Sequence, residues 1–247
     1  MTPKSELLMV DKLSVSFGGL QALKDVHLNI QEGQIVGLIG PNGAGKSTCL
    51  NTISGFVKAT SGKADLLGQN LIGLKPFQTA RLGISRTFQH TSLFADVSVR
   101  ENFRRSLYSQ HGQRIRDVDG HIKELCEKVH MTGMQDMIAG NLPYGAQRRL
   151  AIGLALACNP KLILLDEPAA GMNPSESKEL VRIMMNLREE GFAILLVEHD
   201  MKVIMNVCDK ITVLHHGEVL AQGTPTEIQE NPAVLEAYLG TRRETHA

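Results

Sequence analysis

The sequence predicts an α/β fold, with a mainly parallel sheet covered by helices on both faces. Two observations carry that expectation. In the second half, the short apolar runs "LILLDE", "FAILLVEH" and "KITVLHHG" alternate with helix-length segments such as "SESKELVRIMMNLREEG" and "DMKVIMNV". Alternation of this kind needs parallel strands joined by crossover helices. Earlier, "IVGLIG" runs into a glycine-rich loop and then into a helical pattern, again strand–loop–helix.

The first 35 residues read as strands. "LLMVDKLSVSF" carries alternating patches, "VHLNI" alternates cleanly, and Gly18-Gly19 and Glu32-Gly33 punctuate them. "IVGLIG" suits a buried parallel strand, and "KSTCLNTI" the helix after it. From about Asp96 to Met134 the pattern turns helical, with Ile122, Leu125, Cys126 and Val129 at i, i+3, i+4 and i+7. "NLPYGAQRRLAIG" holds a further helix, expected from near Ala146 to about Ala157. Its entrance, Leu142-Pro143-Tyr144-Gly145, lacks the Ser, Thr, Asp or Asn that ordinarily caps a helix. The N–H groups near Gly145 and Ala146 are therefore expected to be free for an anion. Asn173, with Pro174 next and Glu176 three residues on, reads as a capping box, and an interface role for Asn173 stays open beside it. Thr224, Pro225 and Glu227 repeat that pattern.

At 247 residues the chain has room for a full core without disulfides or metals. Lys+Arg and Asp+Glu both number 26, which argues against a basic nucleic-acid-binding face. The four cysteines, Cys49, Cys126, Cys158 and Cys208, form no C-x-x-C pair and fit a reduced, cytosolic chain. "MTPKSELLMV" has too short an apolar run for a signal peptide, and no run reaches membrane-spanning length.

"GPNGAGKST" matches G-x-x-x-x-G-K-[ST] between a predicted strand and a predicted helix. Gly40, Pro41, Asn42, Gly43, Ala44 and Gly45 would curve so that successive N–H groups face phosphate oxygens. Lys46 reaches the β- and γ-phosphates, the Ser47 hydroxyl can ligate Mg²⁺, and the helix start at Ser47-Thr48 adds its positive end. The bound molecule is thus expected to be a nucleotide with Mg²⁺. "LILLDEP" supplies two carboxylates at the C-terminal end of a buried strand, where α/β sheets bind ligands. Asp166 suits the Mg²⁺ shell, and Glu167 suits polarising the attacking water.

"RTFQH" places Gln89 after a probable strand, "LPYGAQRR" precedes the acidic strand, and "VEHD" puts His199 at the end of the next one. In this order the set resembles the ATP-binding subunit of an ABC transporter over nearly the whole chain. The resemblance implies a P-loop NTPase core with a mainly parallel sheet, an N-terminal antiparallel β-subdomain and an inserted helical subdomain. It implies one ATPase domain over residues 1–247, with the core and β-subdomain in 1–93 and 158–247 and the helical subdomain in 94–157. Phe17 would stack on adenine, Gln89 would ligate Mg²⁺ or sense the γ-phosphate, and His199 would contact the γ-phosphate. The chain would hydrolyse ATP as one of two sandwiched ATPase subunits, its own kind or a similar one. It would serve transmembrane permease subunits on the inner face of the cell membrane and, indirectly, a solute-binding protein.

Two departures matter. The family signature is Leu-Ser-Gly-Gly-Gln; here only Leu142 and Gly145 match, while Pro143, Tyr144 and Ala146 replace the others. The signature contacts to the partner's nucleotide would then come from Leu142, Gly145 and Ala146. The loop after the acidic strand ends in Asn173 rather than Asp. With "RTFQHTSLF", "DEPAAGMNP", "VEHDM" and the terminal "AYLG", the pattern is similar to the ATPase subunits of branched-chain amino acid uptake systems. ATPases of urea uptake or lipopolysaccharide export, and non-transport ABC ATPases, are the alternative readings.

Overall fold

The computed structural model describes residues 5–88, 93–108 and 116–244. The chain begins with β1 (Glu6–Phe17) and β2 (Leu20–Gln31), a hairpin closed at Gly18-Gly19 with Phe17 opposite Leu20. Next come β3 (Ile35–Ile39) and α1 (Lys46–Ile53). β4 (Ser61–Leu66), β5 (Gln69–Asn70), α2 (Pro76–Leu82) and β6 (Ile84–Arg86) follow. The helices α3 (Val99–Tyr108), α4 (Val118–Lys128) and α5 (Tyr144–Ala157) then precede β7 (Leu162–Asp166). The remainder alternates: α6 (Pro174–Glu189), β8 (Ala193–Val197), α7 (Met201–Val207), β9 (Lys210–His215) and β10 (Glu218–Gly223). It ends in α8 (Pro225–Glu230) and α9 (Pro232–Glu244).

Two sheets result. An antiparallel sheet has the order β2-β1-β4-β5, and a six-stranded sheet has the order β10-β9-β3-β8-β7-β6. In the larger sheet β9, β3, β8, β7 and β6 pair in parallel and only β10 runs antiparallel to its neighbour. Its central strands are buried on both faces, which is why they read as unbroken apolar runs. Ile35, Ile39, Ile163, Leu165, Ile194 and Leu196 face one core, shared with α5, α6 and α7. The residues between them, Val36, Leu38, Leu162, Leu164, Leu195 and Val197, face the other core, shared with α1 and the antiparallel sheet.

Helical periodicity is equally direct. Leu180, Ile183, Met184 and Leu187 of α6 are buried at i, i+3, i+4 and i+7. Both capping boxes form as the sequence predicts. Asn173 Oδ1 accepts from the N–H groups of Ser175 and Glu176, and Glu176 Oε2 accepts from Asn173 N–H at 3.0 Å. Thr224 and Glu227 do the same for α8.

Three local expectations change. α5 starts at Tyr144, two residues before the predicted Ala146, because Pro143 takes the capping position instead of standing outside the helix. α4 stops at Lys128, where His130 takes a positive φ of 53° and breaks the pattern that ran on to Met134. β4, β5 and α2 are elements that periodicity did not mark. All four cysteines are free. Among the described residues no helix is long and apolar enough to cross a membrane.

Candidate functional site

β3 delivers the phosphate loop to the edge of the sheet, and the loop's shape depends on residues without side chains. Gly40 has φ +150°, and a Cβ there would lie 2.1 Å from the Leu214 carbonyl oxygen. Gly45 has φ +101°, and a Cβ there would meet Leu23 at 2.6 Å and the Ala22 carbonyl at 2.7 Å. Only glycine can hold the loop this close to the β9–β10 turn and to β2. α1 follows with no side-chain cap and no acid in its first turn, so its N–H groups and dipole face outward, as an anion site requires. Lys46 is 7% exposed, and its ammonium donates to the carbonyls of Gly40 at 2.8 Å and Pro41 at 3.0 Å. Burial lowers its pKa from the ordinary lysine value, against the raising influence of the Glu167 and Asp166 charges.

A cavity of ≈ 580 Å³ opens over this loop, lined by Phe17, Lys46, Thr48, Glu167, His199 and His216 among others. Phe17, predicted to stack on a base, is half exposed at the end of β1 on the rim of that cavity. Asn42, Gly43, Ala44, Gly45 and Ser47 line it too, so most of the predicted phosphate loop converges there.

β7 and β8 end level with each other, Asp166 opposite Val197. The backbone then turns sharply: Glu167 has φ 49°, a left-handed conformation costing a non-glycine residue about 1–3 kcal/mol. Its N–H bonds the Val197 carbonyl at 2.9 Å, which holds the turn. The outcome is a Glu167 carboxylate oxygen 2.6 Å from His199 Nε2, brought from two different strand ends to the mouth of the cavity. The two side chains share one hydrogen bond, whose donor depends on the ring tautomer, and each fixes the orientation of the other.

Asp166 is engaged differently from the bare carboxylate the motif suggests. Its Oδ2 accepts from Arg86 Nη2 at 3.0 Å, with both side chains nearly buried. The same guanidinium donates to Asn51 Oδ1 at 2.6 Å and Ser54 Oγ at 3.0 Å, tying β6 and β7 to the end of α1. Among the described residues no group of three or more His, Cys, Asp or Glu side chains could cage a metal. A hydroxyl at Ser47 and a carboxylate at Asp166 fit Mg²⁺, which takes oxygen ligands and draws several from phosphate and water. Gln89, the third predicted metal residue, lies outside the described residues.

The start of α5 corrects one expectation. Its N–H groups are not free: Gly145 N–H donates to Glu176 Oε1 at 3.2 Å, and Ala146 N–H returns to the Pro143 carbonyl at 2.9 Å. Leu142, Gly145 and Ala146 are buried, so the surface here consists of Pro143 and Tyr144. Tyr144 replaces a glycine of the family signature and has its own work. Its hydroxyl donates to the Ala170 carbonyl at 3.0 Å and accepts from Arg148 at 2.6 Å.

Sequence reasoning passed over Arg86 and Glu198 and read Glu176 as a helix cap alone. Each is a charge beside an apolar run or in a cap, and each finds its partner far away in sequence. Charge at a buried strand end was the one available signal for Arg86 and Glu198.

A glycine-rich loop on a parallel strand, an uncapped helix behind it and paired acids on a neighbouring strand define a P-loop ATPase. Residues 23–170 match the ABC transporter family, and residues 218–244 match the family described as branched-chain amino acid ATP-binding cassette transporter. The chain is 43% identical to the high-affinity branched-chain amino acid transport ATP-binding protein LivG of Salmonella typhimurium, covering 95% of this chain and 98% of that one. It superposes on the ADP conformation of MJ1267, an ATP-binding cassette of an ABC transporter, with TM-score 0.86 and 29% identity over 96% and 99% of the two chains. It is also similar to the cassette MJ0796 in a dimeric, post-hydrolysis state bound to ADP and Pi, with TM-score 0.78 and 26% identity over 89% and 99%. The chain belongs to the ABC transporter family and is an ATP-hydrolysing subunit of that family.

Proposed function

We propose that this chain powers the uptake of branched-chain amino acids, hydrolysing ATP at the inner face of the cell membrane without touching the solute. The observation that carries the ATPase site is the 2.6 Å Glu167–His199 contact at the mouth of the cavity over the phosphate loop. The likeness to LivG carries the choice of solute.

In this reading the loop from Gly40 to Thr48 binds the phosphates, with Lys46 moving from its carbonyls to the β- and γ-oxygens. Phe17 supports the base. Ser47, Asp166 and Gln89 would hold Mg²⁺, which when bound offsets the negative charge of the phosphate oxygens. Glu167 takes a proton from the attacking water while His199 orients it and faces the γ-phosphate. Residues 94–157 form the helical subdomain, and the segment from Gln89 onward meets the permease subunits. Two ATPase subunits pair so that the α5 start of one, the stretch holding Leu142, Gly145 and Ala146, closes on the nucleotide of the other. ATP favours the closed pair and hydrolysis releases it. A solute-binding protein outside the membrane delivers the amino acid.

Glu167→Gln is the direct test. With ATP the purified variant should hold a stable pair and turn over at least about 100-fold more slowly, the range for loss of a catalytic base. Ordinary turnover would remove Glu167 from that role. For the solute, a strain deleted for the gene should lose uptake of labelled leucine, isoleucine and valine. Retained uptake of all three would overturn the assignment, and a loss of urea uptake or lipopolysaccharide export instead would replace it.

A further inference from the structure

Glu198 is a carboxylate at the end of an all-apolar strand and is only 3% exposed. Burying an isolated carboxylate costs several kcal/mol, about what a badly placed core residue costs. Here that cost is offset by backbone donors from two loops. Oε1 accepts from Ala169 N–H at 2.6 Å, and Oε2 accepts from His199 N–H at 3.1 Å. Asp200 N–H is a further donor to the same carboxylate. Ala169 lies two residues after Glu167, and His199 is the next residue after Glu198 itself. The carboxylate therefore cross-links the loop carrying Glu167 to the loop carrying His199, directly beneath their 2.6 Å contact.

We infer that Glu198 is a positioning residue for ATP hydrolysis, fixing the Glu167–His199 pair through the backbone of both loops. This rests on the roles given above to Glu167 and His199. The bridge is asymmetric in its chemistry: it consists solely of acceptors meeting donors. A glutamine in its place keeps the shape but turns one end into a donor facing N–H groups, so at least one loop is released. The phosphate loop and Phe17 lie on β3, α1 and β1 and do not depend on the bridge. The inference thus separates the two kinetic constants: chemistry suffers and nucleotide binding does not.

The experiment compares Glu198→Gln, Glu167→Gln, His199→Ala and the Glu198→Gln/His199→Ala double variant in the full-length subunit. For Glu198→Gln, kcat should fall by about 10–100-fold, as expected when catalytic groups are misplaced by about an ångström. KM for ATP and the Kd of a fluorescent ATP analogue should stay within about twofold, since uniform binding is untouched. In the double variant, Glu198→Gln should cost less than about threefold more, because both changes disable one unit. Unchanged kcat, a matching loss of nucleotide affinity, or effects that multiply would each overturn the inference. If Glu198→Gln fails to fold, Glu198→Asp keeps the charge, shortens the reach by one methylene, and should show the same split. If Glu167→Gln and His199→Ala keep turnover, the site reading itself fails. If they lose it while Glu198→Gln does not, only the role of Glu198 fails.

Discussion

Alanine at Gly145 should change sign with its surroundings. A Cβ there would lie 2.6 Å from Glu176 Oε1, 2.7 Å from Cδ and 2.8 Å from Cγ, closer than real contacts allow. Gly145 is not among the positive-φ glycines, so alanine meets no backbone penalty, only the Glu176 carboxylate. That carboxylate is the far end of a flexible side chain and can move. Moving it forfeits its bonds to Gly145 N–H at 3.2 Å and Asn173 N–H at 3.0 Å. Two such bonds at partly solvated helix starts are together worth about 1–1.5 kcal/mol. In a chain of this size that lowers the melting midpoint by about 2–6 °C. Glu176→Ala alone should lose the same amount. With Glu176 already alanine, Gly145→Ala meets no clash and gains about 0.5 kcal/mol from lower backbone entropy in the unfolded chain. The four proteins of this cycle can be melted side by side or titrated with urea. A Gly145→Ala cost of the same sign and size in both backgrounds would refute the proposed contact.

Arg86→Met should be costlier. It strips the nearly buried Asp166 carboxylate of its ion-pair partner and removes the guanidinium donor from Asn51 Oδ1 and Ser54 Oγ, so a loss of about 3 kcal/mol or more is expected by urea unfolding. A loss below about 1 kcal/mol would mean that solvent already compensates Asp166. A pH effect is expected at Glu179, whose carboxyl is held below the ordinary range chiefly by its hydrogen bond with His130, against burial. A depressed folded pKa gives stability that is present above the unfolded value of 4.5 and lost as pH falls through the folded one. Glu179→Gln should therefore narrow the difference between melting midpoints at about pH 5.5 and about pH 3.5. An undiminished difference would assign acid sensitivity elsewhere.

What the sequence disclosed, and what it hid, follows the range of the interactions. The phosphate loop was legible because its requirements sit at fixed offsets: glycine at the three positive-φ positions, Gly40, Gly43 and Gly45, and a lysine directly after them. The caps at Asn173 and Thr224 were legible for the same reason, each box closing within four residues. The paired acids at Asp166 and Glu167 stood out at the end of a strand whose apolar run announced its burial. The bond of Arg86 to Asp166 was hidden because 80 positions separate the partners. The Glu176–Gly145 contact was hidden for a further reason. Glu176 had already been explained by the capping box, and nothing in a one-dimensional pattern shows that its second oxygen serves another helix. The helix start that looked uncapped is capped, by a residue from α6.

These long-range contacts change what the loops carrying Glu167 and His199 can do independently. Residues 169–173 leave the Glu167 turn and enter α6. At one end Ala169 N–H is held by Glu198 at 2.6 Å, and at the next residue the Ala170 carbonyl is held by Tyr144 at 3.0 Å. At the other end Glu176 holds Gly145 and Asn173 together. The start of α5 is therefore bonded to both ends of this short segment, and the segment is bonded to the bridge under Glu167 and His199. A shift of α5 by an ångström must break the Tyr144–Ala170 bond or carry Ala170 with it, and Ala169 is the adjoining peptide. Packed and hydrogen-bonded units of this sort move between discrete arrangements instead of bending continuously. With the roles proposed above, the helix start that covers a partner's nucleotide and the Glu167 carboxylate belong to one hydrogen-bonded unit, which would couple closure on one ATP to hydrolysis of the other.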